Sequence, residues 1–245
     1  MLVRRAYIPD SKRPESFGRW PYTVPCVAEL AERGLVFTAP VTMLVGENGS
    51  GKSTLVEAIA EGFKLDSHGG RAGRKYVNDR PRTPLGDVLA LETTPAGSRM
   101  ITGPRSRRKG FFLRAETAFG MMNAVSGLHG YWADDTSTMS HGEGFLAVFE
   151  AMFRERGFYV MDEPEAALSF ESCLKLVGLM HELARTGAQV VCATHSPVLA
   201  ATPGADIVEV GEHGIRRVKW EDLGLVDHWR RYLTDPALYL RHITG

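Results

Sequence analysis

Apolar positions along the chain fall into short blocks that alternate between two periods. In PVTMLVGENGSGKSTLVEAIAEGF, Val41, Met43, Leu44 and Val45 form a run that suits a buried strand. After a glycine-rich break, Leu55, Ile59 and Phe63 recur every four residues with Val56 and Ala60 beside them, which is one face of a helix. A second run, GFYVMDE, is bounded by Gly157 and Pro164. A third, AQVVCATH, follows the helical pattern Leu174, Val177, Leu179, Met180, Leu183. Phe145, Leu146, Val148, Phe149, Met152 and Phe153 predict another amphipathic helix ahead of the second run. Strands alternating with helices predict an α/β fold with a largely parallel sheet.

Two segments predict hairpins: VLALETTPAGSRMITG, and IVEVGEHGIRRVKW with Glu-His-Gly as its turn. Residues 67–110 are rich in Gly, Pro and Arg, and no linker separates independent units. The organisation expected is one domain over residues 1–245, with residues 67–140 as an inserted lobe. The aromatic pair Trp229 and Tyr232 near the C-terminus is expected to pack in the core.

Composition narrows the classes. Apolar residues make up 44% and charged residues 24%, as in ordinary globular proteins, and 29 basic residues balance 29 acidic ones. Composition therefore gives no global bias toward nucleic acid or an anionic membrane. Locally the balance breaks: Arg71–Arg114 holds eleven Lys or Arg against three Asp or Glu, a candidate surface for nucleic acid or an acidic protein partner. The N-terminal basic residues have no apolar run behind them, so no signal peptide is expected, and no stretch approaches the length of a membrane span. Cys26, Cys173 and Cys192 lack metal-ligand spacing and suit buried, reduced thiols, so a cytoplasmic location is expected.

The chemistry concentrates in three places. Gly46, Glu47, Asn48, Gly49, Ser50, Gly51, Lys52, Ser53 and Thr54 match G-x-x-x-x-G-K-[ST] between a predicted strand and a predicted helix. Glycines let backbone N–H groups curl around a β-phosphate, the helix start turns its positive end toward the same anion, Lys52 neutralises the β- and γ-phosphates, and the Ser53 hydroxyl is a Mg²⁺ ligand. Asp162 and Glu163 end the second apolar run. Adjacent carboxylates at the end of a buried strand are costly unless a cation or a reaction uses them. Asp162 suits Mg²⁺, and Glu163 suits the polarisation of the attacking water. His195 ends the third run, placed to sense a γ-phosphate.

These three motifs, with Ser140-His141-Gly142-Glu143-Gly144 between the first and second, resemble the ATP-binding-cassette (ABC) ATPase superfamily from the phosphate loop to His195. The match is similar in detail to small stand-alone bacterial ATPases with a Ser-His-Gly-Glu signature, related in their core to RecF-like and chromosome-maintenance ATPases. FFLRAE at residues 111–116 and the tail DPALYLRHI carry that part of the likeness. The resemblance implies a P-loop fold of ABC ATPase type, with a mostly parallel central sheet, an antiparallel β lobe and an inserted helical or irregular lobe. It implies ATP and Mg²⁺ as ligands, and two copies facing head to tail with the signature of one closing over ATP held by the other.

Carried onto this chain, Ser140 aligns with the signature serine and Gly142 with its second glycine neighbour, while His141 and Glu143 depart from the usual signature. A Ser140–Glu143 capping box explains the same residues as a helix start. Ser169 stands where the superfamily has an aspartate. No lid glutamine is evident; FFLRAE occupies its place, making Glu116 a candidate for the Mg²⁺–water network. Trp20 and Tyr22 lie where these ATPases place an adenine-stacking aromatic, with Arg4 and Tyr7 as further candidates. The expected function is an Mg²⁺-dependent ATPase acting as a dimerisation switch. The alternatives are a motor subunit of a membrane transporter, which the missing glutamine disfavours, and a passive ATP-binding module, which the presence of Glu163 and His195 disfavours.

Overall fold

The computed structural model describes residues 1–66, 69–71, 82–104, 109–114, 146–147, 149–150, 153–241 and 243. Among these residues, two sheets build the fold. The smaller is antiparallel, with β1 (Val3–Tyr7) between β2 (Leu35–Val36) and β5 (Ala90–Thr93). The larger contains β3 (Val41–Val45), β4 (Gly70–Arg71), β6 (Gly110–Arg114), β7 (Phe158–Asp162), β8 (Gln189–Thr194), β9 (Asp206–Gly211) and β10 (Gly214–Arg217). Their order is β10-β9-β3-β8-β7-β6-β4, parallel from β9 through β6 and antiparallel at both edges.

The apolar runs are continuous because both faces of the central sheet are covered. Leu44, Phe158, Val160, Val191 and Ala193 point into one core with α1 (Pro25–Arg33) and α2 (Lys52–Gly62). Met43, Val45, Tyr159, Met161, Val190 and Cys192 point into a second core with α5 (Phe170–Arg185), α6 (Pro197–Ala200) and the start of α7 (Gly224–Thr234). The side chains of each strand thus alternate between two apolar layers, as a period of two requires.

The small sheet is tied to the large one by a polar contact. Gln189, fully buried, accepts from the N–H groups of Leu2 and Val3 at 2.8 Å each and donates to the Val3 carbonyl at 3.0 Å. One amide side chain thereby satisfies three backbone groups at the start of β1.

The hairpin read at IVEVGEHGIRRVKW is present as β9 and β10, turning through Glu212 and His213. The hairpin read at VLALETTPAGSRMITG is not. Only Ala90–Thr93 is a strand, and it pairs with β1, while Pro95–Thr102 forms α4 after α3 (Pro84–Val88). Thr94 caps α4 by accepting from the Gly97 N–H, and Pro95 occupies its first position, so this Thr-Pro is a helix start and not a turn. In α5 the inward face is Cys173, Leu176, Met180 and Leu183, with Val177 and Leu179 packed beside it, whereas Leu174 is half exposed. Trp229 and Tyr232 are also exposed, at 46% and 38%, so they are not core residues. They lie on α7, whose inward contacts come from Val226 near its start.

Within residues 67–140, β5 joins the small sheet and β6 lies inside the large one. Residues 115–145 lie outside the described residues, and with them Glu116 and the Ser140–Glu143 signature. Among the described residues no helix is long and apolar enough to cross a membrane.

Candidate functional site

Because β3, β7 and β8 run parallel and adjacent, their C-terminal ends open on the same edge of the sheet. This topology brings together segments more than a hundred residues apart. Gly46–Gly51 follow β3, Asp162 ends β7, and His195 follows β8.

The loop after β3 has the backbone its glycines permit. Gly49 and Gly51 sit at φ +82° and +98°, a region open to glycine. A side chain at Gly46 would strike the Val210 carbonyl, and one at Gly51 would meet Cys26 Sγ and Val24 Cγ1 at 2.6 Å each, whereas the space beside Gly49 is empty. The loop is therefore packed from behind by β9 and the start of α1 while its front stays open. Lys52 is only 3% exposed, with Nζ 2.8 Å from the Glu47 carbonyl and 3.7 Å from Glu163 Oε1.

Asp162 accepts from Ser53 Oγ at 3.0 Å. Burial pushes its carboxyl up to about 6, against the pull of the Ser53 hydrogen bond and of the Arg114 and Lys52 charges, with Glu163 adding to the rise. Arg114 faces Asp162 in the β6–β7 register and pairs with Glu57 at 3.2 Å. Glu163 adopts left-handed backbone angles (φ 50°, ψ 51°), with its N–H held by the Ala193 carbonyl at 2.9 Å. A non-glycine residue there carries strain of about 1 kcal/mol. The turn it makes leaves Oε1 at 3.5 Å from His195 Nδ1 as well as near Lys52.

Sequence reasoning missed Glu165. Its side chain is 7% exposed. Its Oε1 accepts from Thr194 Oγ1 at 2.6 Å and from the His195 N–H at 2.7 Å, and lies 3.5 Å from His195 Nδ1. This carboxylate holds the chain end that presents His195. Its signal was the repeated acid in Asp-Glu-Pro-Glu. Ser169, in place of the superfamily's aspartate, caps α5 by accepting from the Ser172 N–H.

The residues present fit a nucleoside triphosphate and a divalent cation. Ser50 Oγ is a buried polar atom without a hydrogen-bond partner among the described residues, as expected of a donor reserved for a ligand. A buried carboxylate paired with a hydroxyl, with its proton affinity raised by desolvation, suits a hard cation that takes oxygen ligands.

The adenine candidates Trp20 and Tyr22 lie on the segment leading into α1, whose start packs behind Gly51. Trp20 is 61% exposed, and Tyr22 packs partly against the first core, edge to face with Phe17 at 5.9 Å. Tyr7 lies under the Arg5 guanidinium at 5.4 Å. A cavity of about 1020 Å³ opens beside the loop, lined by Gly46–Ser50, His195, the β9–β10 turn, and by His228, Trp229, Tyr232 and Tyr239.

Sheet order, loop and carboxylates together define a P-loop ATPase of mixed α/β architecture. A family model described as "AAA domain, putative AbiEii toxin, Type IV TA system" matches residues 94–201, and one described as "AAA domain" matches residues 30–86. Thiamine import ATP-binding protein ThiQ of Cereibacter sphaeroides is 32% identical over 174 residues, covering 63% of this chain and 70% of that protein. The chain belongs to the ABC-type ATPases. Ribose import ATP-binding protein RbsA 1 of Burkholderia ambifaria is 28% identical over 198 residues, and the match spans only 37% of that relative's length. In fold the chain is similar to the SMC head domain from Thermotoga maritima, with a TM-score of 0.50 at 17% identity, covering 89% of this chain and 100% of that one.

Proposed function

We propose that this chain binds and hydrolyses ATP with Mg²⁺, and that ATP drives head-to-tail pairing of two copies as a switch on a protein or nucleic-acid partner. One observation carries the hydrolytic reading: Glu163 Oε1 lies within 3.7 Å of Lys52 Nζ and 3.5 Å of His195 Nδ1, beside the Ser53–Asp162 hydrogen bond. Ser53 and Asp162 would hold Mg²⁺, which when bound supplies charge neutralisation for the phosphate oxygens. Gly46–Thr54 hold the triphosphate through backbone N–H groups and the α2 N-terminus. Lys52 balances charge on the β- and γ-oxygens. Glu163 accepts a hydrogen bond from the attacking water and orients it. The water oxygen bonds to the γ-phosphorus as the bond from that phosphorus to the ADP oxygen breaks, and the proton it sheds passes to the Glu163 carboxylate. His195 donates to the γ-phosphate, and Glu165 holds His195.

Pairing of copies rests on Ser140–Glu143 lending a serine hydroxyl and glycine N–H groups to ATP on the other copy. Some of the Arg71–Arg114 charge is already used within the fold: Lys109 pairs with Glu155 at 2.7 Å, Arg114 with Glu57, and Arg82 approaches Glu61 at 3.8 Å. A partner is recognised by the remaining arginines of this segment. The three cysteines are free and buried, which supports a reducing, cytoplasmic setting. The names of the import relatives favour a second reading, an ATP-binding subunit of a transporter.

Glu163→Gln tests the proposal. Phosphate release is expected to fall about a hundredfold or more with ATP binding retained, an effect of the size seen when a general base is lost. In sedimentation the variant is expected to be dimeric with ATP and monomeric without it. A monomer under both conditions removes the switch, and absence of wild-type turnover removes the ATPase.

A further inference from the structure

The cavity beside the phosphate loop has a wall that phosphate chemistry leaves unused. Its floor is Gly46–Ser50, and opposite stand His228, Trp229 and Tyr232 of α7 with Tyr239 of α8 (Ala237–Leu240). This wall is built rather than frayed. His228 Nδ1 lies 2.9 Å from the Tyr239 hydroxyl, and the Tyr239 ring meets His228 and Tyr232 edge to face at 6.0 and 5.9 Å. The turn between the helices is closed by Ala237 N–H donating to Asp235 Oδ1 at 3.1 Å. Trp229 nevertheless keeps 46% of its surface in water, although large aromatic surfaces favour burial.

The sheet order says which end of a bound nucleotide meets this wall. Asp162, Glu163 and His195 follow β7 and β8, on one side of β3, so the reacting end of the triphosphate is directed to that side. On the other side of the loop lies β9, whose Val210 carbonyl abuts Gly46. The cavity reaches from His195 across the loop to that side, where the aromatic wall stands. We infer that the aromatic wall of α7 and α8 is the nucleobase-binding surface for the nucleotide held by the loop, with Trp229 and Tyr232 stacking on a purine ring. The inference rests on the ATP-binding reading and assigns the base to the C-terminal helices instead of Trp20 and Tyr22.

Base stacking separates ATP from inorganic tripolyphosphate, which engages the same loop but has no ring. Calorimetric titration of each in Mg²⁺ buffer is the test, on the full chain and on Trp229→Ala, Tyr232→Ala, Trp229→Phe and Trp20→Ala. Trp229→Ala and Tyr232→Ala are expected to weaken ATP about tenfold, within the range of single aromatic–base contacts, and to leave tripolyphosphate unchanged. Trp229→Phe is expected to restore most of the loss. Equal loss for both ligands, no loss for either, or a selective loss of ATP in Trp20→Ala alone overturns the assignment. Failure of the wild-type chain to bind either ligand overturns the ATP reading itself, and this inference with it.

Discussion

Replacing Glu165 by alanine tests whether this carboxylate serves the reaction or only the fold. The substitution removes the acceptor of two hydrogen bonds, 2.6 Å from Thr194 Oγ1 and 2.7 Å from the His195 N–H, at the end of a buried strand. Hydrogen bonds to a charged group contribute about 1.5–3 kcal/mol each, so the variant loses roughly 3–6 kcal/mol of interaction before relaxation. If one such bond's worth is felt in the transition state through a displaced His195, kcat falls about 10- to 100-fold, since about 1.4 kcal/mol is a factor of ten. The Lys52 and glycine contacts with phosphate are untouched, so ATP affinity is expected to stay within about threefold. Glu165→Gln keeps an amide oxygen for both donors and is expected to recover most of the rate. Phosphate release gives kcat, calorimetry gives Kd, and a thermal melt establishes folding. A folded Glu165→Ala with kcat within twofold of wild type refutes the positioning role. So does an equal fall in rate and affinity, or a Glu165→Gln variant as slow as Glu165→Ala.

Two further outcomes follow from buried polar groups. Gln189→Met strands the N–H groups of Leu2 and Val3 and the Val3 carbonyl, and is expected to destabilise the chain by about 3–9 kcal/mol in urea unfolding, at roughly 1–3 kcal/mol per unmet group; a change below about 1 kcal/mol would show that the two sheets are not held by this side chain. Glu61 is buried, and desolvation raises its carboxyl above the ordinary value despite hydrogen bonds from Thr83 and the nearby Arg82 charge. The folded state therefore binds its proton more tightly than the unfolded one. Its contribution is fully present below the unfolded pKa and is lost as pH rises through the raised value. Glu61→Gln is expected to reduce that loss in melts across weakly acidic pH, and an unchanged profile contradicts the account.

The local patterns of the chain determined its elements and its chemical inventory. Runs such as FYVM and VVCA are apolar at consecutive positions because both faces are buried, and their shortness and bounding residues mark them as central parallel strands. The glycine spacing of Gly46–Gly51 is likewise a backbone requirement written in consecutive residues. Short-range pattern failed at Thr94-Pro95, where a helix start looked like a turn, because both use the same residue types and only the pairing of β5 with β1 separates them. Which side chains meet was decided by the tertiary structure. Ser53 and Asp162 are 109 positions apart, and Gln189 reaches Leu2 across 187. Glu165 and the α7–α8 aromatics are ordinary in sequence and acquire a place only when strand order sets the ends of β7, β8 and β9 around the loop. The physical reason is that periodicity records how each residue is buried, whereas the convergence of a site depends on which distant strands lie side by side.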